Sequence, residues 1–442
     1  MKKVAFYTLG CKVNQYETEA MAELFENSGY EITSFDEYAD VYVINTCTVT
    51  NLGDRKSRQM IRRAKKKNKH SFVAVVGCYA QTAPEEISQI EGVNLIIGTK
   101  DRSRIVEYIE QLKEEDQQIN AVEDIMKVTE FEDMKVNTYK ERTRAFLKIQ
   151  EGCNQFCSYC IIPYARGPVR SRRPEDIIEE VKQLAQNGFK EIVFAGIHVA
   201  SYGKDLKDTN LMDIIQRVHD IDGIERIRLS SIEPTTISQE FVDMAKRLPK
   251  LCPHYHISLQ SGCDETLKRM NRKYTTQEYR EVVERLRVNF PDVSITTDIM
   301  VGFPGETEEE FDKSLKFAEE IGFSKIHVFK YSPRKGTPSA MYPNQVPAEE
   351  KEKRSKQMIE VSNRSERNFY KKFLNRDMDV LFEQPVKDKK DYYEGLTANY
   401  IRVYACSKEN IEGMIRKTVL REIVEGGMEG ELGTLQKNCP LL

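Results

Sequence analysis

No run of the 442-residue chain is apolar for long enough to cross a bilayer. The N-terminus, MKKVAFYTLGC, also lacks the apolar core of a signal peptide. The expectation is a cytoplasmic protein with no membrane partner. An excess of one charge is missing too: the formal net charge is −3, so bulk electrostatics points to no polyanionic partner. Histidine is scarce, and the first one after the tightest cysteine loop is His198, far outside zinc-finger spacing. What the chain does have is length, enough for two or three domains. It also has ten cysteines, which in a cytosolic setting argue for metal or redox chemistry rather than disulfides.

Three of those cysteines sit on one loop, Cys153, Cys157 and Cys160, spaced C-x₃-C-x₂-C. Three thiolates gripping from one side suit an iron–sulfur cluster with one iron open to an outside ligand. A structural zinc site usually closes with four ligands, and no fourth cysteine stands nearby. A zinc-dependent, non-catalytic RNA-binding protein would nevertheless use the same residues and remains the alternative.

From the N-terminus, short β-rich runs at 4–9, 41–45, 72–76 and 93–97 alternate with helical patterns at 15–28, 54–69 and 101–114. That alternation predicts βαβ units on a parallel sheet. Each of the first three strands runs into a loop carrying one cysteine: Cys11, Cys47 and Cys78. The carboxyl ends of parallel strands share one sheet edge, so these three are predicted to converge on a second cluster; three buried core thiols is the plainer reading. The helix at 54–69 is rich in Lys and Arg, with no acidic residue after Asp54. Such a run is either a solvated face or a contact for RNA phosphates. The charged segment at about 114–140 reads as a linker.

From Arg144, strands at 145–149, 191–195, 226–230, 254–259, 293–299 and 325–330 alternate with helices at 174–187, 210–219, 238–247, 276–288 and 307–321. Six such units predict an open, partial (β/α)₆ barrel with the cysteine loop at its mouth. The other strand ends are then where cofactor-holding groups belong: Gly196, Glu233, Gln260, Asp298 and Gly302. Each also has a plainer role as a turn glycine or surface group. His198 and His256 read as packing or hydrogen-bonding residues. A charged helix at 347–372 leads into short alternating strands at Met378–Glu383, Tyr392–Thr397, Tyr400–Tyr404 and Met414–Glu422, an OB-like small β-barrel. It is either a structural cap or an RNA-binding module. Because it lies outside the larger barrel, its removal is expected to spare cofactor chemistry. The tail after Gly433 carries no readable pattern.

The segments Thr8–Asn14 (TLGCKVN), Asn45–Cys47 (NTC), Val76–Cys78 (VGC) and Cys160–Gly167 (CIIPYARG) resemble the methylthiotransferase branch of the radical S-adenosylmethionine (SAM) enzymes. The resemblance implies three domains: 1–113 with an auxiliary cluster, a radical SAM core at 139–369, and a TRAM-like barrel at 372–442. It implies two [4Fe–4S] clusters, one on Cys153, Cys157 and Cys160 and one on Cys11, Cys47 and Cys78. Gly196, Glu233, Gln260, Asp298 and Gly302 would surround SAM, and Arg272 would pair its methionyl carboxylate. The implied chemistry is sulfur insertion at an unactivated C–H bond plus methyl transfer, with an electron donor such as flavodoxin or ferredoxin. The segments Lys12–Glu17 (KVNQYE), Cys47–Thr50 (CTVT) and Gly167–Ser171 (GPVRS) look most like enzymes acting on threonylcarbamoyladenosine at position 37, in the tRNA anticodon stem-loop. Isopentenyladenosine tRNA and a ribosomal-protein aspartate are the alternative substrates within the family.

Overall fold

The structure, a computed structural model, describes residues 2–115, 117–136 and 143–433. The tail beyond Gly433 lies outside the described residues.

The N-terminal unit runs β1 (Lys2–Thr8), α1 (Lys12–Asn27), β2 (Tyr30–Thr33), β3 (Val41–Thr46), α2 (Asn51–Lys67), β4 (Phe72–Gly77), α3 (Cys78–Thr82), α4 (Pro84–Ser88), β5 (Leu95–Ile97), α5 (Ile105–Glu115) and β6 (Ile119–Asn120). Its six strands form one parallel sheet in the order β2-β1-β3-β4-β5-β6. β3 is buried along its whole length, as a strand covered on both faces must be. One face packs Val4, Val43 and Val76 against Phe25 of α1 and Ile109 of α5. The other packs Ile44 and Val75 against Met60 and Ile61 of α2.

The central unit runs β7 (Arg144–Glu151), α6 (Ile162–Arg166), β8 (Arg170–Ser171), α7 (Pro174–Gln186), β9 (Glu191–Gly196), α8 (Leu211–His219), β10 (Arg226–Leu229), α9 (Gln239–Ala245), β11 (His254–His256), α10 (Asp264–Arg269), α11 (Thr276–Asn289), β12 (Ser294–Val301), α12 (Glu308–Ile321), β13 (Lys325–Lys330) and α13 (Ala348–Lys371). Parallel pairings join β7, β9 and β10, and then β11, β12 and β13. Isolated parallel bridges, Ile227 to Leu251 and Ile232 to Ile257, span the gap between the two groups. The result is the predicted arc of six parallel strands. β8 turns back antiparallel onto the end of β7, a short hairpin that the helix–strand alternation does not announce.

The C-terminal unit is a closed barrel of β14 (Asp377–Pro385), β15 (Tyr392–Thr397), β16 (Arg402–Cys406), β17 (Ile415–Val424) and β18 (Gly427–Leu432). The closing strand β18 was not expected. Its glycines weaken the strand signal, yet a Cβ at Gly430 would lie 2.4 Å from Thr418 Cγ2.

Two expectations are corrected by the packing. The described part of the segment read as a linker is not a loose connection. β6 extends the N-terminal sheet, and Ile125, Val128, Met134 and Val136 are buried; residues 116 and 137–142 lie outside the described residues. Nor does the C-terminal barrel stand apart. It caps the amino ends of the central strands, where Arg226 donates to the carbonyls of Leu396 (2.9 Å) and Asp379 (2.7 Å). Arg228 donates to Ala398 O (3.0 Å) and pairs with the buried Glu191 (2.7 Å). His254 stacks on Tyr400 with ring centroids 4.3 Å apart.

Candidate active site: two cysteine sets at facing strand ends

The first set lies just beyond the end of β7. Gly152 has a φ of +73°, and a Cβ there would sit 1.8 Å from Pro168 O, so only glycine fits. Cys153 N then donates to Gly167 O (3.0 Å), and Cys160 N donates to Cys157 O (2.9 Å), which closes the loop. Ser158 pins it to α10 and its cap through Met270 O (3.0 Å) and Arg269 O (2.8 Å). Burial pushes the Cys153 thiol up to about 11 and the Cys160 thiol up to about 12, with neighbouring cysteines of the set adding to both.

The second set comes from three separate strand ends, but not from three loops as expected. Cys11 is the N-cap residue of α1 and Cys78 is the first residue of α3, whereas Cys47 follows β3 in a loop. A thiolate at a helix N-terminus is favoured by the partial positive charge there. The three converge. The Cys78 thiol is pushed up to about 12, chiefly by burial, with Arg166 opposing and Cys11 and Cys47 adding to the rise. Burial likewise raises Cys47, with Cys11 adding. Among the described residues no group of His, Cys, Asp or Glu is arranged to hold a single metal ion. Cys78 and Cys157 are buried, Cys47, Cys153 and Cys160 partly so, and Cys11 is exposed; buried thiols become thiolates beside a cationic centre, and each donor set is all sulfur, which suits an iron–sulfur cluster.

The edges bearing the two sets are bound together. Arg166, buried on α6, donates to Cys78 Sγ (3.1 Å), Asn14 Oδ1 (2.6 Å), Glu17 Oε1 (2.6 Å) and Glu151 Oε1 (2.7 Å). Glu17 is also paired with Lys148 (2.8 Å) and Arg102 (2.5 Å). On the opposite side, Arg334 after β13 reaches the Cys47 loop through Thr48 Oγ1 (2.5 Å) and the first turn of α2 through Asn51 Oδ1 (2.6 Å) and Asp54 (2.7 Å). Neither arginine was marked by charge patterning, although Arg166 falls inside the CIIPYARG segment.

The strand-end residues expected around SAM divide into two groups. Arg272 lies 3.3 Å from Cys157 Sγ and pairs with Glu233 (3.0 Å), which in turn faces His198 (3.4 Å). These residues share one polar wall beside the first set. Gln260, with a φ of +69°, lies beyond the end of β11 beside Asp298 of β12: Gln260 N donates to Asp298 O (2.8 Å), and Asp298 meets His256 (3.2 Å). Both histidines make hydrogen-bonding contacts, as expected, His198 Nδ1 with Ser201 Oγ (2.5 Å) and His256 Nδ1 with Thr296 Oγ1 (2.9 Å). At the two glycines the Cβ side is filled by protein. The space beside Gly196 is taken by Gln150 and Val199, and that beside Gly302 by the stem of Lys351. Their lack of a Cβ serves packing, and the φ of +72° at Gly302 serves a turn.

The basic helix α2 is not uncompensated. Asp36 pairs with Arg63 and takes Lys67 on its carbonyl, and Arg58 donates to Tyr79 OH (2.9 Å). Arg55, Arg62 and Lys66 are exposed along one stripe of α2 at i, i+7 and i+11, and Lys69 is exposed just past the helix end; Arg62, Lys66 and Lys69 stand beside a groove of about 840 Å³ rimmed by Glu86 and Glu91.

Residues 147–318 match the model of the radical SAM superfamily, and residues 3–98 match that of uncharacterized protein family UPF0004. The chain therefore has a radical SAM core, and SAM with one [4Fe–4S] cluster is the cofactor set that goes with it. Among solved structures, the radical SAM methyltransferase TsrM from Kitasatospora setae covers 77% of each chain at 16% identity, with a TM-score of 0.57, and so shares the fold. Among curated proteins, a threonylcarbamoyladenosine tRNA methylthiotransferase of Bacillus subtilis is 46% identical over 97% of this chain and 95% of its own length. Its namesake in Aquifex aeolicus is 40% identical over 94% and 99%. A tRNA-2-methylthio-N(6)-dimethylallyladenosine synthase of Clostridium tetani is 36% identical over 96% and 95%. The chain belongs to the tRNA methylthiotransferase family, which sets aside the non-catalytic zinc reading.

Proposed function

We propose that the chain converts N6-threonylcarbamoyladenosine at position 37 of tRNA, in the anticodon stem-loop, to its 2-methylthio derivative. The observation that supports this substrate most is the gradient of identity: 46, 40 and 38% to threonylcarbamoyladenosine enzymes against 36% to a dimethylallyladenosine synthase, over near-complete lengths. In this reading the three domains are those expected at 1–113, 139–369 and 372–442, the first extended through β6 to Asn120. Cys153, Cys157 and Cys160 hold the cluster that binds SAM, and Cys11, Cys47 and Cys78 hold a second [4Fe–4S] cluster. Cofactor and cluster together supply a radical able to open a C–H bond that has no acidic proton.

The protein's own groups bind and orient. Arg272, beside Cys157, presents a guanidinium where the methionyl carboxylate of SAM would lie, with Glu233 and His198 completing the wall; Gln260, Asp298, Gly196 and Gly302 shape the strand ends around it. The stripe Arg55, Arg62, Lys66 and Lys69 starts within ten residues of Cys47 and offers tRNA phosphates a track toward the site. The C-terminal barrel is a second RNA surface, the electron donor is a flavodoxin or ferredoxin, and the enzyme works in the cytoplasm. Nucleoside mass spectrometry of tRNA from cells lacking the protein tests the reading. The methylthio derivative of threonylcarbamoyladenosine should vanish while the unthiolated nucleoside accumulates; unchanged levels of both would contradict it.

A further inference from the structure

Arg166 has a place in the molecule that a merely structural cation does not need. Its five N–H donors are all taken, by Cys78, Asn14, both oxygens of Glu17, and Glu151. Asn14 Oδ1 in turn lies 3.8 Å from Cys11 Sγ, so one guanidinium touches one cysteine of the second set and reaches another through a single side chain. The residue itself belongs to the central unit. It follows Cys160 by six positions and pairs with Glu151, two residues before Cys153. Arg102 provides an internal comparison, since it is equally buried and binds Glu17, Glu132 and Thr99 O, yet contacts no cysteine.

We propose that Arg166 is a positioning residue for the second centre: its Nε–H···S hydrogen bond fixes the Cys78 sulfur and sets, from the radical SAM barrel, the reduction potential of the cluster that sulfur holds. The physical reason is charge. A hydrogen bond and a fixed cation beside a ligating thiolate withdraw negative charge from it, which favours the reduced cluster and raises the potential. A lysine is a point charge that cannot serve sulfur, amide and two carboxylates at once. The Glu17 carboxylate would retain Lys148 and Arg102 without Arg166, so the seam between the units keeps most of its pairing in an Arg166 variant. The proposal rests on the second-cluster reading above.

The test uses the full chain in which Cys153, Cys157 and Cys160 are all Ala, reconstituted anaerobically, so that any cluster present is the second one. Arg166→Lys, Arg166→Gln and Arg102→Lys are compared by iron content, thermal stability and potentiometric titration followed by EPR. The expected result is about four irons in the parent and a midpoint potential shifted negative in both Arg166 variants. Arg102→Lys should lose thermal stability with no shift in potential. Loss of iron from the Arg166 variants alone, with Arg102→Lys keeping its four, also supports the positioning role. Four irons throughout with one common potential would overturn the inference and leave the second cluster standing, as would equal loss of iron from the Arg166 and Arg102 variants. No iron in the parent would overturn the second-cluster reading and the inference with it.

Discussion

Gly152 and Glu151 are adjacent residues at the end of β7, and each makes a claim that one substitution can test. At Gly152 an alanine meets both a positive φ and a carbonyl oxygen 1.8 Å away. Gly152→Ala should therefore displace the loop holding Cys153 and, with two clusters as proposed, lower iron from about eight to about four per chain. Gly188→Ala, at φ +89° with nothing within 4 Å, is strained without a collision and should leave the iron content unchanged. Equal losses from the two variants would count against a local cause. At Glu151, burial works to raise the carboxyl, but Lys148 and Arg166 outweigh it and hold it at about 2 against an ordinary 4.5. A folded-state value below the unfolded one gives stability that is fully present above about 4.5 and lost as pH falls toward about 2. In metal-free protein, Glu151→Gln should be less stable near neutrality and show a flatter loss of melting temperature across that window. A variant with the parent's acid profile would show that the network does not depend on this carboxylate.

At the scale of elements, α2 and the C-terminal barrel carry the surface claims. Reversing Arg62, Lys66 and Lys69 together should weaken tRNA binding and reduce its salt dependence; the parent should lose roughly ten-fold or more in affinity between about 50 and 200 mM salt. Reversing Arg63 and Lys67, already engaged with Asp36, should matter little. Equal effects from the two faces would reduce α2 to a source of diffuse charge. The C-terminal barrel changes an expectation. Its removal would strip carbonyl partners from Arg226 and Arg228 and expose the Arg228–Glu191 pair, and hydrogen bonds made by a charged group contribute about 1.5–3 kcal/mol each. Truncation near residue 375 should therefore lower the melting temperature of the central unit as well as tRNA affinity. The parallel sheet, the six-strand arc and the convergence of Cys11, Cys47 and Cys78 were legible because βα alternation and strand-end placement are local signals. β18 was not, because close packing selects glycine there, and the partners of Arg166 and Arg334 were not, because they lie up to 286 residues away in sequence.

For the whole molecule, the account holds that the two cysteine-bearing edges face each other so that one base can be reached from both. The seam that secures this is polar and buried: Glu17, Arg102, Lys148, Glu151 and Arg166 on one side, and Arg334 with Asp54 on the other. Such ion pairs hold one docking geometry at some cost in stability compared with an apolar contact. Enzymes named for threonylcarbamoyladenosine and for dimethylallyladenosine both match the chain over nearly its whole length, so family membership alone does not select a substrate. The most direct measurement offers the purified, reconstituted enzyme, with SAM and reductant, three substrates side by side: tRNA bearing threonylcarbamoyladenosine, tRNA bearing isopentenyladenosine, and ribosomal protein. The account predicts a methylthio product on the first alone. Product on either of the others, with none on the first, would contradict it.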